Sequence, residues 1–217
     1  MILKRLKVQT QQKDLLTNCY IVFDNDSKEV IVIDPGGEPE RIAEELTLIG
    51  ADQIKYIFLT HCHADHIGGV QKLKELKGGK VLVSVDDSEG LYNKDINMCD
   101  YIGLEMPPLD ADALLKDGDV INVGKLDFKV IATPGHTKGG LSLYCEKKQM
   151  VFTGDTLFSG TWGRTDLPTG SIEDIMDSIT NKLMVLPEDT IVYPGHGKIT
   201  MISDEQNIYL ELQPKDF

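Results

Sequence analysis

Five histidines occur in the 217 residues, and three of them fall within His61-Cys62-His63-Ala64-Asp65-His66. The apolar run Tyr56 to Leu59 precedes them and reads as a strand. In extended chain, alternate side chains share a side, so His61 and His63 can reach one ion. At Asp65 the chain must turn into a helix predicted from His66 to Leu76, which aims Asp65 and His66 elsewhere, at a second ion. Cys62 projects to the opposite side and is expected not to coordinate. Gly68-Gly69 is expected to leave the first helical turn bare for close backbone approach to metals or substrate.

The other two histidines sit in matching settings, Thr133-Pro134-Gly135-His136-Thr137 and Tyr193-Pro194-Gly195-His196-Gly197, each after a predicted strand. Asp155 follows Phe152-Thr153-Gly154 in the same way. A lone histidine in a Pro-Gly turn, or a lone aspartate at a strand end, is ordinarily a solvated turn residue. Here every histidine of the chain lies at a strand end, where ligand sites gather. Imidazole nitrogen and carboxylate oxygen together suit zinc, iron or manganese.

The elements that must position these groups alternate between β and α. Cys19 to Phe23 and Val30 to Ile33 read as a hairpin across Asp24-Asn25-Asp26. Pro39 opens a helix carrying Ile42, Leu46 and Ile49, which Gly50 stops. Val81 to Val85 is a further strand. Residues 86 to 116 lose the pattern and read as an insertion, with Met98, Tyr101 and Met106 available to line a pocket together with the Gly160 to Gly170 loop. Strands return at Val120 to Val123, Phe128 to Ala132, Leu141 to Cys145 and Met150 to Phe152. A helix from Ile172 to Leu186, a strand from Thr190 to Tyr193 and a helix after Ser203 follow. Residues 1–217 are read as one domain.

With 41% apolar and 26% charged residues, the composition is that of a folded globular chain. The formal net charge of -13 repels phosphate backbones, which excludes a nucleic-acid partner. MILKRLKVQT lacks the apolar core of a secretory signal, and no run is long enough to span a membrane, so no membrane partner and a cytoplasmic location are expected. The four cysteines are widely spaced and read as buried thiols. Oligomeric state is left open.

The segment H-x-H-x-D-H at His61, His63, Asp65 and His66, with His136, Asp155, His196 and IVIDPGG at Ile31 to Gly37, resembles the metallo-β-lactamase superfamily. FTGDTLFSG and GRTDLPTG look like its glyoxalase II, or hydroxyacylglutathione hydrolase, group. The resemblance implies a four-layer α/β/β/α sandwich with two divalent metal ions, zinc foremost and iron or manganese next, at one edge. It assigns His61, His63 and His136 to one ion, Asp65, His66 and His196 to the other, and Asp155 to both. Only 21 residues follow His196, so the chain is expected to be a short form without the C-terminal helical domain of classical glyoxalase II.

The activity implied is hydrolysis of a small-molecule thioester, S-lactoylglutathione or a similar acyl thioester, by a hydroxide shared between the ions, with Asp65 and Asp155 as the catalytic carboxylates. A thiol's pKa of about 8.5 means the leaving group needs no dedicated acid. Arg164 or Lys138 could meet an anionic substrate tail. The alternative is a persulfide dioxygenase, whose resemblance implies one iron held by His61, His136 and Asp155.

Overall fold

The structure, a computed structural model, describes residues 1–10 and 15–211. One six-stranded sheet runs β1 (Ile2–Gln9), β2 (Leu16–Phe23), β3 (Val30–Ile33), β4 (Tyr56–Phe58), β5 (Lys80–Ser84) and β6 (Ala113–Leu115) in spatial order. Its first three strands pair antiparallel and the rest are parallel. The helices α1 (Pro39–Leu48), α2 (Ala64–Ile67) and α3 (Val70–Lys77) occupy the connections between β3 and β5. The short helix α4 (Lys94–Asn97) belongs to the segment between β5 and β6.

The second sheet contains β7 (Val120–Val123), β8 (Leu126–Ala132), β9 (Leu141–Cys145) and β10 (Met150–Gly154). A small hairpin, β11 (Leu157–Phe158) and β12 (Thr161–Trp162), and the helix α5 (Ile172–Asp177) follow, and α5 continues as a wider turn over Ser178–Leu183. β13 (Ile191–Pro194) and β14 (Thr200–Met201) complete the six-stranded order β14-β13-β10-β9-β8-β7, and α6 (Ile202–Glu211) ends the described chain. Among the described residues no helix is long and apolar enough to cross a membrane.

The burial pattern explains the layers. β2 and β3 are apolar at successive positions because both faces of their sheet are covered. Tyr20, Val22, Ile31, Ile33 and Phe58 point inward against Phe128, Val130, Leu143 and Phe152 of the second sheet. Ile21, Val32, Ile57 and Val81 point outward beneath Ile42, Leu46, Val70 and Leu73. On the far side, Val151 and Val192 are covered by Ile175, Ile179, Leu183 and Ile202. The result is the α/β/β/α sandwich.

Three expectations are corrected. The helix predicted from His66 to Leu76 is two helices broken at Gly68-Gly69, and Leu76 is 44% exposed. Those glycines do not open the site. Gly69 N donates to Pro35 O at 2.9 Å, and a Cβ on Gly69 would stand 2.5 Å from that oxygen, so they seat this turn on the Pro35–Gly37 loop. The 86 to 116 insertion is also shorter than read, because Ala113–Leu115 joins the first sheet as β6. Sequence reading missed β1, although Arg5, Lys7 and Gln9 alternate outward with buried Leu6 and Val8.

Candidate metal centre

All seven residues singled out from sequence meet at one edge of the sandwich. His61, His63, Asp65 and His66 follow β4 of the first sheet, while His136, Asp155 and His196 follow β8, β10 and β13 of the second. Ligand-capable atoms form three overlapping groups, His61/His63/His136, Asp65/His66/His196 and His61/His66/Asp155, each within 4.8 Å. Cys62 belongs to none of these. Its Sγ lies where a Cβ on Gly90 would fall, 2.3 Å away, on the side of the insertion.

The separations are those of ligands around common ions. His63 Nδ1 is 2.8 Å from His136 Nε2, and His66 Nε2 is 3.2 Å from His196 Nε2. Asp155 reaches both groups: Oδ1 stands 3.3 Å from His66 Nε2, and Oδ2 stands 3.6 Å from His136 Nε2 and 3.5 Å from His196 Nε2. Asp65 Oδ2 lies 3.1 Å from His196 Nε2. Nitrogens bound at about 2.0–2.1 Å to a tetrahedral ion are about 3.3 Å apart, so these contacts fit coordination. Buried polar atoms are normally hydrogen-bonded, yet His61 Nε2 and Asp155 Oδ1 in the cluster have no such partner.

Hydrogen bonds to the second ring nitrogen fix which atom is offered. His66 Nδ1 donates to Asp34 Oδ2 at 2.9 Å, His136 Nδ1 to Arg164 O at 2.7 Å and His196 Nδ1 to Leu16 O at 2.8 Å. Each leaves Nε2 for the interior of the cluster. His61 Nδ1 meets Thr60 Oγ1 at 3.1 Å and likewise presents Nε2.

Backbone geometry lets these side chains converge. Gly195 must lack a Cβ, which would lie 2.2 Å from Asp155 Oδ1 and 2.6 Å from His66 Cε1. Gly154, just before Asp155, has φ +50, and its Cβ position falls 2.3 Å from Thr60 Oγ1. The His196 turn is held from the other sheet, where Asn18 Nδ2 and Tyr20 OH both donate to Pro194 O.

The electrostatics divide the histidines. Burial, reinforced by neighbouring imidazoles, holds His61 well below its ordinary value and His63 down to about 3, so both lone pairs are free at neutral pH. Burial also opposes charge on His66 and His196, but the Asp65 and Asp155 carboxylates outweigh it, raising His66 and bringing His196 to about 9. Burial opposes ionisation of Asp65 and Asp155 too, and the surrounding histidines win: Asp65 falls to about 2 and Asp155 is lowered well below the usual range.

A cavity of about 290 Å³ opens onto the cluster. Its walls include Met98, Tyr101 and Ile102 from the 86 to 116 segment, Arg164 and Leu167 from the Gly160 to Gly170 loop, and Phe158 from β11, which the sequence reading did not name. Met106 packs instead against the hydrophobic core. Arg164 forms a two-pronged pair with Asp166 at 2.7 and 2.6 Å, and Lys138 is not part of the cavity wall. Sequence reasoning missed Asp34, whose strand-end position before Pro35-Gly36 parallels that of Asp155 and was the available signal. It also missed Asp87, for which no local signal exists.

A family model for the metallo-β-lactamase superfamily matches residues 13–196. The chain belongs to that superfamily. Within it, the hydroxyacylglutathione hydrolase GloC of Haemophilus influenzae is 34% identical over 195 residues, 87% of this chain and 89% of that one. The crystal structure of the BLEG-1 B3 metallo-β-lactamase superposes with a TM-score of 0.87 at 33% identity, covering 95% of this chain and 97% of that one. TTHA1623 in a di-iron-bound form gives 0.82 at 32% identity, covering 94% and 98%. The two solved structures share the fold of this chain.

Proposed function

We propose that the chain is a dinuclear metal-dependent hydrolase of small acyl thioesters, of the glyoxalase II-like group. One observation carries the reading: the Asp155 carboxylate stands 3.3 to 3.6 Å from histidines of both ligand groups, as a group shared by two ions must. His61, His63 and His136 would hold one ion, and Asp65, His66 and His196 the other. Zinc is the metal proposed, and the same donors accommodate iron or manganese. When bound, two such ions supply a water ionised near neutral pH and Lewis acidity for a carbonyl oxygen.

The chain's own residues do the rest. Met98, Tyr101, Ile102, Phe158 and Leu167 wall the cavity and exclude bulk water from the acyl group. Asp65, held ionised beside His66 and His196, is the acceptor for the proton of the attacking water. The departing thiolate needs no acid, its pKa being about 8.5. The name of the GloC relative supports a glutathione thioester as substrate.

The test is a panel on the zinc-loaded full chain: S-lactoylglutathione, a simple acetyl thioester, a chromogenic β-lactam, and glutathione persulfide with an oxygen electrode. Thiol release from the thioesters is the expected result. β-Lactam opening without thiol release would overturn the reading in favour of a lactamase, and oxygen uptake on the persulfide in favour of the dioxygenase.

A further inference from the structure

Asp87 is buried, 1% exposed, just past the end of β5 where the insertion begins. Its carboxylate is held by three donors, none of them charged. Oδ2 accepts from Cys62 N at 3.1 Å and from Thr137 Oγ1 at 2.7 Å, and Oδ1 accepts from Gly139 N at 2.8 Å. Cys62 lies between His61 and His63 in the loop of the first sheet. Thr137 and Gly139 follow His136 in a loop of the second.

The space around the carboxylate is built for it. A Cβ on Gly139 would stand 2.5 Å from Asp87 Oδ1 and 2.4 Å from its backbone nitrogen. Burial raises the Asp87 pKa, and the same hydrogen bonds oppose that rise. A carboxylate is a costly choice for a purely structural buried position, because removing charge from water is unfavourable. It does offer two oxygens that take three donors from two separate loops at once, which no neutral side chain of this size does.

We infer that Asp87 is a positioning residue which, by tying the His61–His63 loop to the His136 loop, sets the spacing of the His61/His63/His136 group and so governs metal binding there, without governing the Asp65/His66/His196 group. The inference rests on the two-ion reading above. Asp87 does not touch the ligating atoms. It acts on the backbone that carries them, as outer partners of metal ligands do, with losses of about 10- to 100-fold in affinity when they are changed.

The experiment titrates cobalt(II) alone into full-length protein stripped with chelator, following visible absorption and chelator competition. His136→Ala and His196→Ala assign the two binding steps to their groups. Asp87→Asn keeps the size of the side chain but turns an amide N–H toward a donor. The expected result is a 10- to 100-fold loss in the step assigned to His136, with a changed cobalt spectrum for that step and an unchanged step assigned to His196. Thr137→Val removes one donor without touching Asp87, and a smaller loss in the same step is expected. Leu46→Ala, a core truncation on the buried face of α1, serves as the control for lowered stability. Wild-type affinities in Asp87→Asn would overturn the inference, as would an equal loss of that step in Leu46→Ala. Should Asp87→Asn fail to fold, an unchanged Thr137→Val overturns it alone. Wild type that takes up fewer than two ions overturns the two-ion reading and this inference with it, a result seen before any variant is made.

Discussion

Asp34 Oδ2 and His66 Nδ1 face each other at 2.9 Å with both side chains shut away from solvent, at 1% and 0% exposure. The same carboxylate accepts Thr60 N at 2.8 Å and Thr60 Oγ1 at 2.7 Å, and Thr60 Oγ1 in turn meets His61 Nδ1. One buried carboxylate thus orients a histidine of each ligand group. Asp34→Ala leaves these donors unpaired in the interior, at about 1–3 kcal/mol for each. The expected outcome is a lower denaturation midpoint together with weaker uptake of both ions, measured by urea melts and elemental analysis on one sample. Two ions retained at undiminished affinity would count against this role.

Asp155→Ala is expected to abolish thioester hydrolysis and to lower metal content toward zero, because the carboxylate serves both groups and its charge separates two cations. The fold should survive, since Phe128, Phe152 and the rest of the interlayer core are untouched. Circular dichroism and metal analysis on the same preparation check this. Retained activity with two ions bound would remove Asp155 from its shared position.

The divided histidines give a pH signature. In protein stripped of metal, His66 and His196 carry protons at pH 7, while His61 and His63 do not. Loading the Asp65/His66/His196 group must therefore expel protons, and its affinity rises with pH up to about 9. His61 and His63 have no such protons to lose at pH 7. A folded value of about 9 for His196, above the unfolded 6.5, also means that this histidine stabilises stripped protein fully below pH 6.5 and progressively less as pH rises through 9. Calorimetric titration in two buffers of different ionisation enthalpy measures the release. No proton release at pH 7 would contradict the assignment.

Cys62→Ser should keep both ions and most of the activity, because the thiol faces Gly90 and not the cluster. The Asp87 carboxylate beside the thiol can accept from the new hydroxyl, so only a small change in stability is expected. Loss of one ion would show that Cys62 takes part in binding.

The candidate ligands were legible in the sequence because they are short-range features: alternation places His61 with His63, and Pro-Gly turns mark His136 and His196. The covered strands were legible as apolar runs for the same reason. What escaped reading depends on distant parts of the chain. Asp34 meets Thr60 and His66 across 26 and 32 residues, and Asp87 meets Thr137 and Gly139 across 50 and 52. The break at Gly68-Gly69 is dictated by the Pro35–Gly37 loop, which helical periodicity in the residues from His66 to Leu76 does not report.

Four of the seven donors come from one sheet and three from the other, all at a single rim of the sandwich. Ions gripped from both sides would therefore be rivets as well as reagents. They would fasten the two sheets at that rim, while at the opposite rim the Asp24–Glu29 turn of one sheet holds Gly124 and Lys125 of the other through hydrogen bonds and an ion pair. Chelation would unfasten only one rim, so backbone amides in the loops after β4, β8, β10 and β13 would exchange faster with solvent while those at the far ends of the same strands keep their protection.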